Sequence, residues 1–290
     1  MTPATAFRLG RVSNLPTVWT NALVGVVLAG GDSWTLATLL IAVGLSLLYV
    51  SGMYLNDAFD RHIDAKERPG RPIPAGLVAA DTVFFVGFGL MLAGLAFTLW
   101  AATVATAIVW PAMLAALALA GAILFYDWHH KANALSPFFM GLCRVLAYIT
   151  AGYAAVQTPS SSVMVVALAS LSYLIGLTYI AKLEALDRVE AVWPLLFLAA
   201  PVFYGFAHLR YGGVITMLLL AALVCWILVA LYLLKRRAKG DVPRAVVSLI
   251  AGIALVDALF LATAGAIAAC MGAVVCFALT LALQRWVSGT

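Results

Sequence analysis

The chain has 290 residues, of which 65% are hydrophobic and only 10% are charged. Soluble domains carry about 25% charged residues, so this composition excludes a soluble globular protein and indicates a chain that crosses the membrane many times. The net charge of +5 does not indicate nucleic-acid binding, because the basic residues occupy short loops between apolar runs. The four cysteines lie inside apolar runs without CxxC spacing, so we expect them to form neither a disulfide nor a metal site.

An all-α fold follows from the hydropathy, because a helix needs about 20 apolar residues to cross a bilayer. We predict a polytopic membrane helix bundle in which residues 1–290 form a single transmembrane domain. The predicted spans are 14–31, 36–55, 82–101, 104–125, 137–157, 162–181, 192–209, 213–234, 245–266 and 268–287. The last forty residues are either two tight helices or one helix and a re-entrant or interfacial piece, so the count is nine or ten.

Positive charge predicts the orientation. If the N-terminus is cytoplasmic, the loops at 56–81, 126–136, 182–191 and 235–244 share its side and contain most of the loop lysines and arginines, whereas the outer loops contain only Arg210. This agrees with the positive-inside rule. We therefore predict an integral, multi-pass protein of the cytoplasmic membrane, with the basic run Lys235 to Lys239 as an orientation signal and a contact for anionic lipid.

The most charged stretch of the chain, residues 56–72, directly follows the second span. If the helix continues through it, Asn56, Asp60 and Asp64 recur at i, i+4 and i+8 and stack along one face, with Asp57 beside them. Like charges at this spacing repel, and a divalent cation would offset the repulsion. Carboxylate and amide oxygens are the ligands that Mg²⁺ prefers, so the pattern favours a metal site over a merely solvated loop.

The whole pattern resembles the first signature of the UbiA superfamily of intramembrane prenyltransferases. It reads Asn56-Asp57-x-x-Asp60-x-x-x-Asp64, followed by Arg68-Pro69-x-Arg71-Pro72 and Ala75-Gly76. The resemblance implies a UbiA-like bundle around a central cavity, with two acidic signatures facing each other, and a tenth helix would depart from the nine that are typical of the family. The segment Gly141 to Arg144 is similar to a branch of the superfamily named EboC.

The resemblance further implies that basic and phenolic residues bind a diphosphate. Tyr126 and Lys131 lie where the family places such residues, and Arg144, about two turns inside span 5, is expected to face a polar cavity or an acid because a buried guanidinium is costly. The opening of span 1 also resembles the family, with Asn21 as a cavity residue. We expect the diphosphate to contact Arg68, Arg71, Tyr126, Lys131, Arg144, Tyr179, Lys182 and Arg188.

The second acidic segment closes span 6 and matches the family's second signature only in part. Asp187 takes the place of its first aspartate, but Ala191 stands where the second aspartate is expected, so Glu190 or Glu184 would supply that carboxylate. The metal ligands that we predict are Asn56, Asp60, Asp64, Asp187, Glu190 and Glu184, and Asp60, Asp64 and Asp187 are the predicted catalytic residues. An ordinary charged helix end is the alternative.

Asp257 lies in the middle of span 9, and we expect it to be far from both acidic segments along the membrane normal. A functional carboxylate and a protonated acid bonded to a neighbouring helix both remain open, and we leave this residue outside the predicted site.

Together these features imply Mg²⁺-dependent transfer of a prenyl group from a polyprenyl diphosphate to a lipophilic acceptor within the membrane. Two alternatives remain: a secondary transporter, and a catalytically weak relative that only binds isoprenoid lipid, which Ala191 favours. The sequence predicts no nucleic-acid partner, and the acceptor and oligomeric state carry no signature in it.

Overall fold

A computed structural model describes residues 1–131, 133–186 and 193–287, and within these it describes the backbone but not the side chains of residues 182–186 and 211. All the regular structure in these ranges is helical. The helices are α1 (Pro3–Leu9), α2 (Leu15–Ala29), α3 (Leu36–Phe59), α4 (Arg61–Glu67), α5 (Ala80–Ala105), α6 (Trp110–His129), α7 (Ser136–Ala155), α8 (Ser162–Leu186), α9 (Ala200–Ala207), α10 (Leu209–Arg236), α11 (Asp241–Thr263) and α12 (Ile267–Leu283).

Two short 3₁₀ helices complete the chain, at Val12–Asn14 before α2 and at Trp193–Ala199 before α9. Within the described ranges, eight segments are long and apolar enough to cross a membrane, and the apolar segments Trp193–Ala207 and Ile267–Leu283 are shorter. The prediction of an all-α membrane bundle is confirmed. The last forty residues contain the second half of α11 and the 17-residue helix α12.

Several predicted boundaries were wrong for identifiable reasons. The fourth span begins at Trp110 rather than 104, because the chain is extended at Thr106 and Pro111 then starts a new helix in its first turn. The second span continues to Phe59 rather than 55. The predicted helix 192–209 is a 3₁₀ helix followed by α9, with Pro194 and Pro201 near the start of each piece.

Helices α2 and α11 occupy the inside of the bundle. In α11, 83% of the most apolar window is buried, and in the segment that contains α2 the value is 72%, whereas α5, α6 and α10 each bury only 28%. The outer helices expose large apolar side chains such as Phe85, Leu92 and Leu218, as expected for surfaces that face lipid tails. Polar side chains on α2 and α11 are therefore enclosed by protein and can build an internal site.

Helix α2 packs against α3, α7, α11 and α12 and links two apolar cores. One core joins α2, α3, α5, α6 and α7, and the other joins α7, α8, α10, α11 and α12 with part of α2. The short helix α1 packs on α3, where the Tyr54 hydroxyl donates to the Ala6 carbonyl at 3.2 Å. This arrangement brings the N-terminal segment next to the end of α3, where the acidic residues lie.

Candidate active site

The acidic residues lie where α3 ends and α4 begins. Asp60 separates the two helices, so the continuous helix that the sequence suggests is interrupted. The spacing nevertheless survives: the Asp60 amide donates to the Asn56 carbonyl at 2.9 Å, and the Asp64 amide donates to the Asp60 carbonyl at 2.8 Å. Asn56, Asp57, Asp60 and Asp64 are all buried. We call these four residues the acidic cluster.

Two arginines neutralise one side of the acidic cluster. Arg71 Nη1 lies 3.0 Å from Asp57 Oδ1 and 2.7 Å from Asp64 Oδ2, so one guanidinium bridges two carboxylates. Arg11 Nη2 lies 3.2 Å from the same Asp57 oxygen and 3.5 Å from Asn56 Oδ1. Arg11 has a left-handed backbone, with φ of 41°, which is uncommon for a residue other than glycine. Asp57 therefore joins the N-terminal segment to the loop that follows α4.

The basic side chains beside Asp60 come from the segment that follows α6. His130 Nε2 lies 3.3 Å and Lys131 Nζ 3.5 Å from Asp60 Oδ2, and Lys131 Nζ is also 3.8 Å from Glu67. The Tyr126 ring stacks on His130, with centroids 4.8 Å apart. The adjacent His129 is exposed and lies beside Phe125 and Trp128 instead. Of the two neighbouring histidines, therefore, His130 contacts the acidic cluster.

A cavity of about 110 Å³ lies between α2, α3, α6 and α7. Its walls are mostly apolar, with Leu45, Leu48 and Leu119 among them, and its polar groups include Asn21, Tyr49, Tyr126, Asp127 and Arg144. Asp127 Oδ1 accepts a hydrogen bond of 3.3 Å from Asn56 Nδ2. The polar wall of the cavity is thus bonded directly to the acidic cluster, and the site combines a charged end with an apolar interior.

Magnesium was predicted from the acidic spacing, and the oxygen donors around the cluster suit such a cation. Asp64 Oδ1 and Asp127 Oδ2 are buried and have no hydrogen-bond partner among the described residues. Unpartnered carboxylate oxygens of this kind are available to a hard cation. In the described ranges, however, no three His, Cys, Asp or Glu side chains converge closely enough to form a metal site by themselves, so a metal here needs further ligands.

The second acidic segment lies largely outside the described residues. Asp187, Arg188, Glu190 and Ala191 fall in the undescribed range, and Lys182 and Glu184 belong to α8 with undescribed side chains. Their predicted roles as metal ligands and diphosphate contacts stay predictions. Tyr179 is half-buried near the end of α8, and Arg68 is exposed at the end of α4.

Arg144, Asn21 and Asp257 are connected, although the sequence analysis left Asp257 out of the site. Arg144 Nη1 donates to Asn21 Oδ1 and, at 3.1 Å, to the Thr17 carbonyl, and both Arg144 and Asn21 line the cavity. Asn21 Nδ2 donates to Asp257 Oδ2 at 2.7 Å. Asp257 is therefore bonded to neighbouring helices, and one of its partners is a cavity residue.

Sequence reasoning missed the parts of the site that depend on contacts between distant helices. Arg11 and Asp127 contact the acidic cluster from separate segments, and their local sequence does not indicate that residues 56–64 are their partners. For Asp127, its place directly after Tyr126 was the available signal. His130 lies four residues after Tyr126, which puts both rings on one face of the helix end.

A helical membrane bundle with a buried cluster of carboxylates and cations beside an apolar cavity defines a class of intramembrane protein suited to an amphiphilic ligand. The chain belongs to the UbiA prenyltransferase family, whose family model matches residues 18–250. Members of this family are prenyltransferases. The resemblance inferred from the acidic spacing is thus confirmed.

Individual relatives agree with this assignment. The chain is 28% identical over 204 residues to the digeranylgeranylglyceryl phosphate synthase of Methanopyrus kandleri, and the match covers 68% of each chain. It is 38% identical over 90 residues to the synthase of the same name from Methanoregula boonei, where the match covers 31% of this chain and 32% of that relative.

Solved structures share the fold. A UbiA homologue from Aeropyrum pernix superposes with a TM-score of 0.66 at 18% identity, over 87% of this chain and 96% of the other. A UbiA homologue from Archaeoglobus fulgidus, solved with GPP and Mg²⁺ bound, gives a TM-score of 0.61 at 14% identity, over 91% and 99% of the two chains. At these identities the similarity establishes the fold alone.

Proposed function

We propose that this protein transfers a prenyl group from a polyprenyl diphosphate to a lipophilic acceptor within the membrane, in a reaction that depends on Mg²⁺. The observation that carries the proposal is the junction of the acidic cluster with the apolar cavity, made by the hydrogen bond between Asn56 and Asp127. A prenyl diphosphate has the same division into a charged head and an apolar chain. The family assignment and the relative solved with GPP and Mg²⁺ support it.

The cations around the cluster suit a diphosphate. Arg11, Arg71 and Lys131 each contact a carboxylate of the cluster and are themselves mostly screened from water, with side-chain exposures of 16%, 15% and 31%. Guanidinium groups match phosphate oxygens through paired N–H donors, and lysine contributes a compact positive charge. When the bond between the diphosphate and the prenyl carbon breaks, negative charge develops on the leaving diphosphate. These cationic side chains would stabilise that charge. Arg68, Tyr126, Tyr179, Lys182 and Arg188 remain further proposed contacts.

We propose that Asn56, Asp60 and Asp64 hold Mg²⁺, with Asp187 and Glu190 or Glu184 as ligands from the second segment. When bound, the ion would neutralise the diphosphate and make it a better leaving group. Basic side chains would orient these carboxylates: Arg71 contacts Asp57 and Asp64, and His130 and Lys131 contact Asp60. Asp60, Asp64 and Asp187 are the proposed catalytic residues.

The cavity suits the prenyl chain and the transfer step. Its leucine-lined wall excludes water from an apolar tail, which limits hydrolysis of a reactive allylic cation. Tyr49 and Tyr126 belong to the same wall, and aromatic faces stabilise a nearby cation. We propose a lipophilic acceptor, because the cavity lies between membrane-spanning helices and its walls are mostly apolar.

The test is an assay of pyrophosphate release by purified protein with radiolabelled geranylgeranyl or farnesyl diphosphate, candidate acceptors, and either Mg²⁺ or a chelator. We expect turnover with Mg²⁺ only. Asp60→Ala and Asp64→Ala should each lower kcat by at least about a hundredfold, because they remove charge stabilisation at the leaving group.

Asp81→Ala is the matched control, since Asp81 is an exposed aspartate in the first turn of α5, outside the acidic cluster. It should retain wild-type turnover. Full activity of Asp64→Ala would refute the metal assignment. Tight binding of the diphosphate without pyrophosphate release would identify instead a relative that only binds isoprenoid lipid.

A further inference from the structure

A second polar cluster lies inside the bundle around Asp257, which is fully buried in α11. Three side chains donate to this carboxylate: Thr20 Oγ1 at 2.5 Å, Asn21 Nδ2 at 2.7 Å and Tyr148 Oη at 2.5 Å. Among the described residues, no lysine, arginine or histidine forms an ion pair with it. A carboxylate buried inside a membrane bundle is costly. Three neutral donors offset part of this cost, and we therefore ask what function the carboxylate serves.

The first consequence is that Asp257 fixes the orientation of Asn21. Asn21 Nδ2 donates both to Asp257 Oδ2 and, at 2.9 Å, to Tyr148 Oη. In the structure the amide nitrogen of Asn21 faces Asp257 and its amide oxygen faces Arg144. An ionised carboxylate enforces this orientation, because it only accepts hydrogen bonds. A flipped amide would place two oxygens against each other and an N–H group against a guanidinium.

The second consequence concerns Arg144, whose Nη1 donates to Asn21 Oδ1 and to the Thr17 carbonyl. Both contacts use the same nitrogen. The Nε and Nη2 groups make no hydrogen bond with any residue that the structure describes, and the Arg144 side chain lines the cavity beside Tyr126 and Asp127. Arg144 is therefore held from behind by Asn21, with donors left for a ligand in the cavity.

We propose that Asp257 is a positioning residue, which acts through Asn21 to direct the Arg144 guanidinium into the cavity toward the diphosphate of the prenyl donor. This inference rests on the proposed function, because it takes the donor as the ligand. A merely structural Asp257 would hold α2, α7 and α11 together without changing the affinity for ligand. The two roles differ in what a mutation does to binding.

The experiment measures the dissociation constant of geranylgeranyl diphosphate, with Mg²⁺, for the full chain in detergent. Asp257→Asn keeps the shape but introduces an amide that can turn Asn21, and Arg144→Gln removes the guanidinium. Each should weaken binding about tenfold, the size of one lost charge-assisted hydrogen bond. The double variant should bind no more weakly than Arg144→Gln, because both changes act through one contact.

An exchange variant separates positioning from folding. Asn21→Asp combined with Asp257→Asn puts the carboxylate at position 21 and the amide at position 257, which again gives Arg144 an acceptor, and its affinity should return toward that of the wild type. Asp241→Asn is the matched control. Asp241 is also fully buried, but it is the first residue of α11 and pairs with Arg236 at 2.7 Å. This control should change stability and leave affinity unchanged.

Two results would overturn the assignment: wild-type affinity in Asp257→Asn while Arg144→Gln binds weakly, or effects of the two single changes that add in the double variant. If Asp257→Asn fails to fold, the exchange variant decides, and a folded exchange variant that binds as weakly as Arg144→Gln also overturns it. A wild-type protein that binds the diphosphate but releases no pyrophosphate contradicts the proposed function and leaves the positioning role standing.

Discussion

Arg71 forms ion pairs with two buried carboxylates of the acidic cluster, those of Asp57 and Asp64. Its own side chain is 15% exposed, and those of Asp57 and Asp64 are 8% and 1% exposed. In Arg71→Met both carboxylates lose this countercharge, and removal of one partner from a buried ion pair costs about 3–5 kcal/mol. We expect the free energy of unfolding to fall by an amount of this order, measured in detergent with a chelator present.

Arg68→Met provides the comparison, since Arg68 lies three residues earlier and is exposed. An exposed charge contributes about 0–1 kcal/mol, so this variant should unfold at nearly the wild-type temperature. Equal unfolding midpoints for Arg71→Met and the wild type would show that Asp57 and Asp64 do not depend on the bridge.

At the residue scale, the sequence predicted those members of the site that share one segment. Asn56, Asp60 and Asp64 are close in the chain, so their helical spacing alone places them together. Arg11 and Asp127 reach the same cluster from α2's leading segment and from α6. Their positions depend on how separate helices pack, and packing is a property of the whole bundle that local spacing does not contain.

At the scale of the elements, the close approach of α2 and α7 positions the cavity residues. A Cβ atom on Gly25 would lie 2.6 Å from the Ala151 Cβ and 2.7 Å from the Tyr148 carbonyl oxygen. Small residues permit this approach, as is usual where membrane helices cross closely. Gly25 is one turn from Asn21, and Tyr148 is one turn from Arg144, so any widening of this crossing also moves the cavity wall.

Gly25→Ala should therefore destabilise the protein by about 1–3 kcal/mol, the usual range for overpacking, and should also weaken binding of geranylgeranyl diphosphate. Thermal unfolding and ligand titration measure the two effects. Gly121→Ala in α6 is the control, because nothing lies within 4 Å of its added Cβ. There alanine should stabilise the helix by up to about 1 kcal/mol. A Gly25→Ala protein as stable as the control would refute the tight crossing.

Hydropathy predicted which helices exist but not where they break. Long apolar runs such as Leu36 to Leu55 were recognised because burial in lipid demands them. The 3₁₀ helix Trp193–Ala199 was missed, since its composition is as apolar as that of a regular span and the change of backbone geometry leaves no hydropathy signal. The continuation of α3 to Phe59 was missed because polar residues there are buried by protein rather than by lipid.

At the scale of the whole molecule, the side of the membrane that residues 235–244 face depends on whether the short segment Trp193–Ala207 crosses the bilayer. Seven residues of 3₁₀ helix and eight of α-helix extend about 26 Å, at about 2.0 and 1.5 Å per residue. A bilayer core is about 30 Å thick, so the 3₁₀ geometry brings a short segment close to the length required. If it crosses, the basic run Lys235 to Lys239 lies on the same side as the acidic cluster, and the positive-inside rule is satisfied.

We therefore predict that His62 and Lys239 face the cytoplasm and that Ser161, in the loop after α7, faces the opposite side. All three residues are exposed. After replacement of the four native cysteines, His62→Cys, Lys239→Cys and Ser161→Cys can each be labelled in intact cells with a membrane-impermeant maleimide. Only Ser161→Cys should react before lysis, and all three should react after it. Labelling of Lys239→Cys in intact cells, with His62→Cys protected, would show that Trp193–Ala207 does not cross the membrane, and would place the basic run on the outer face against the charge rule.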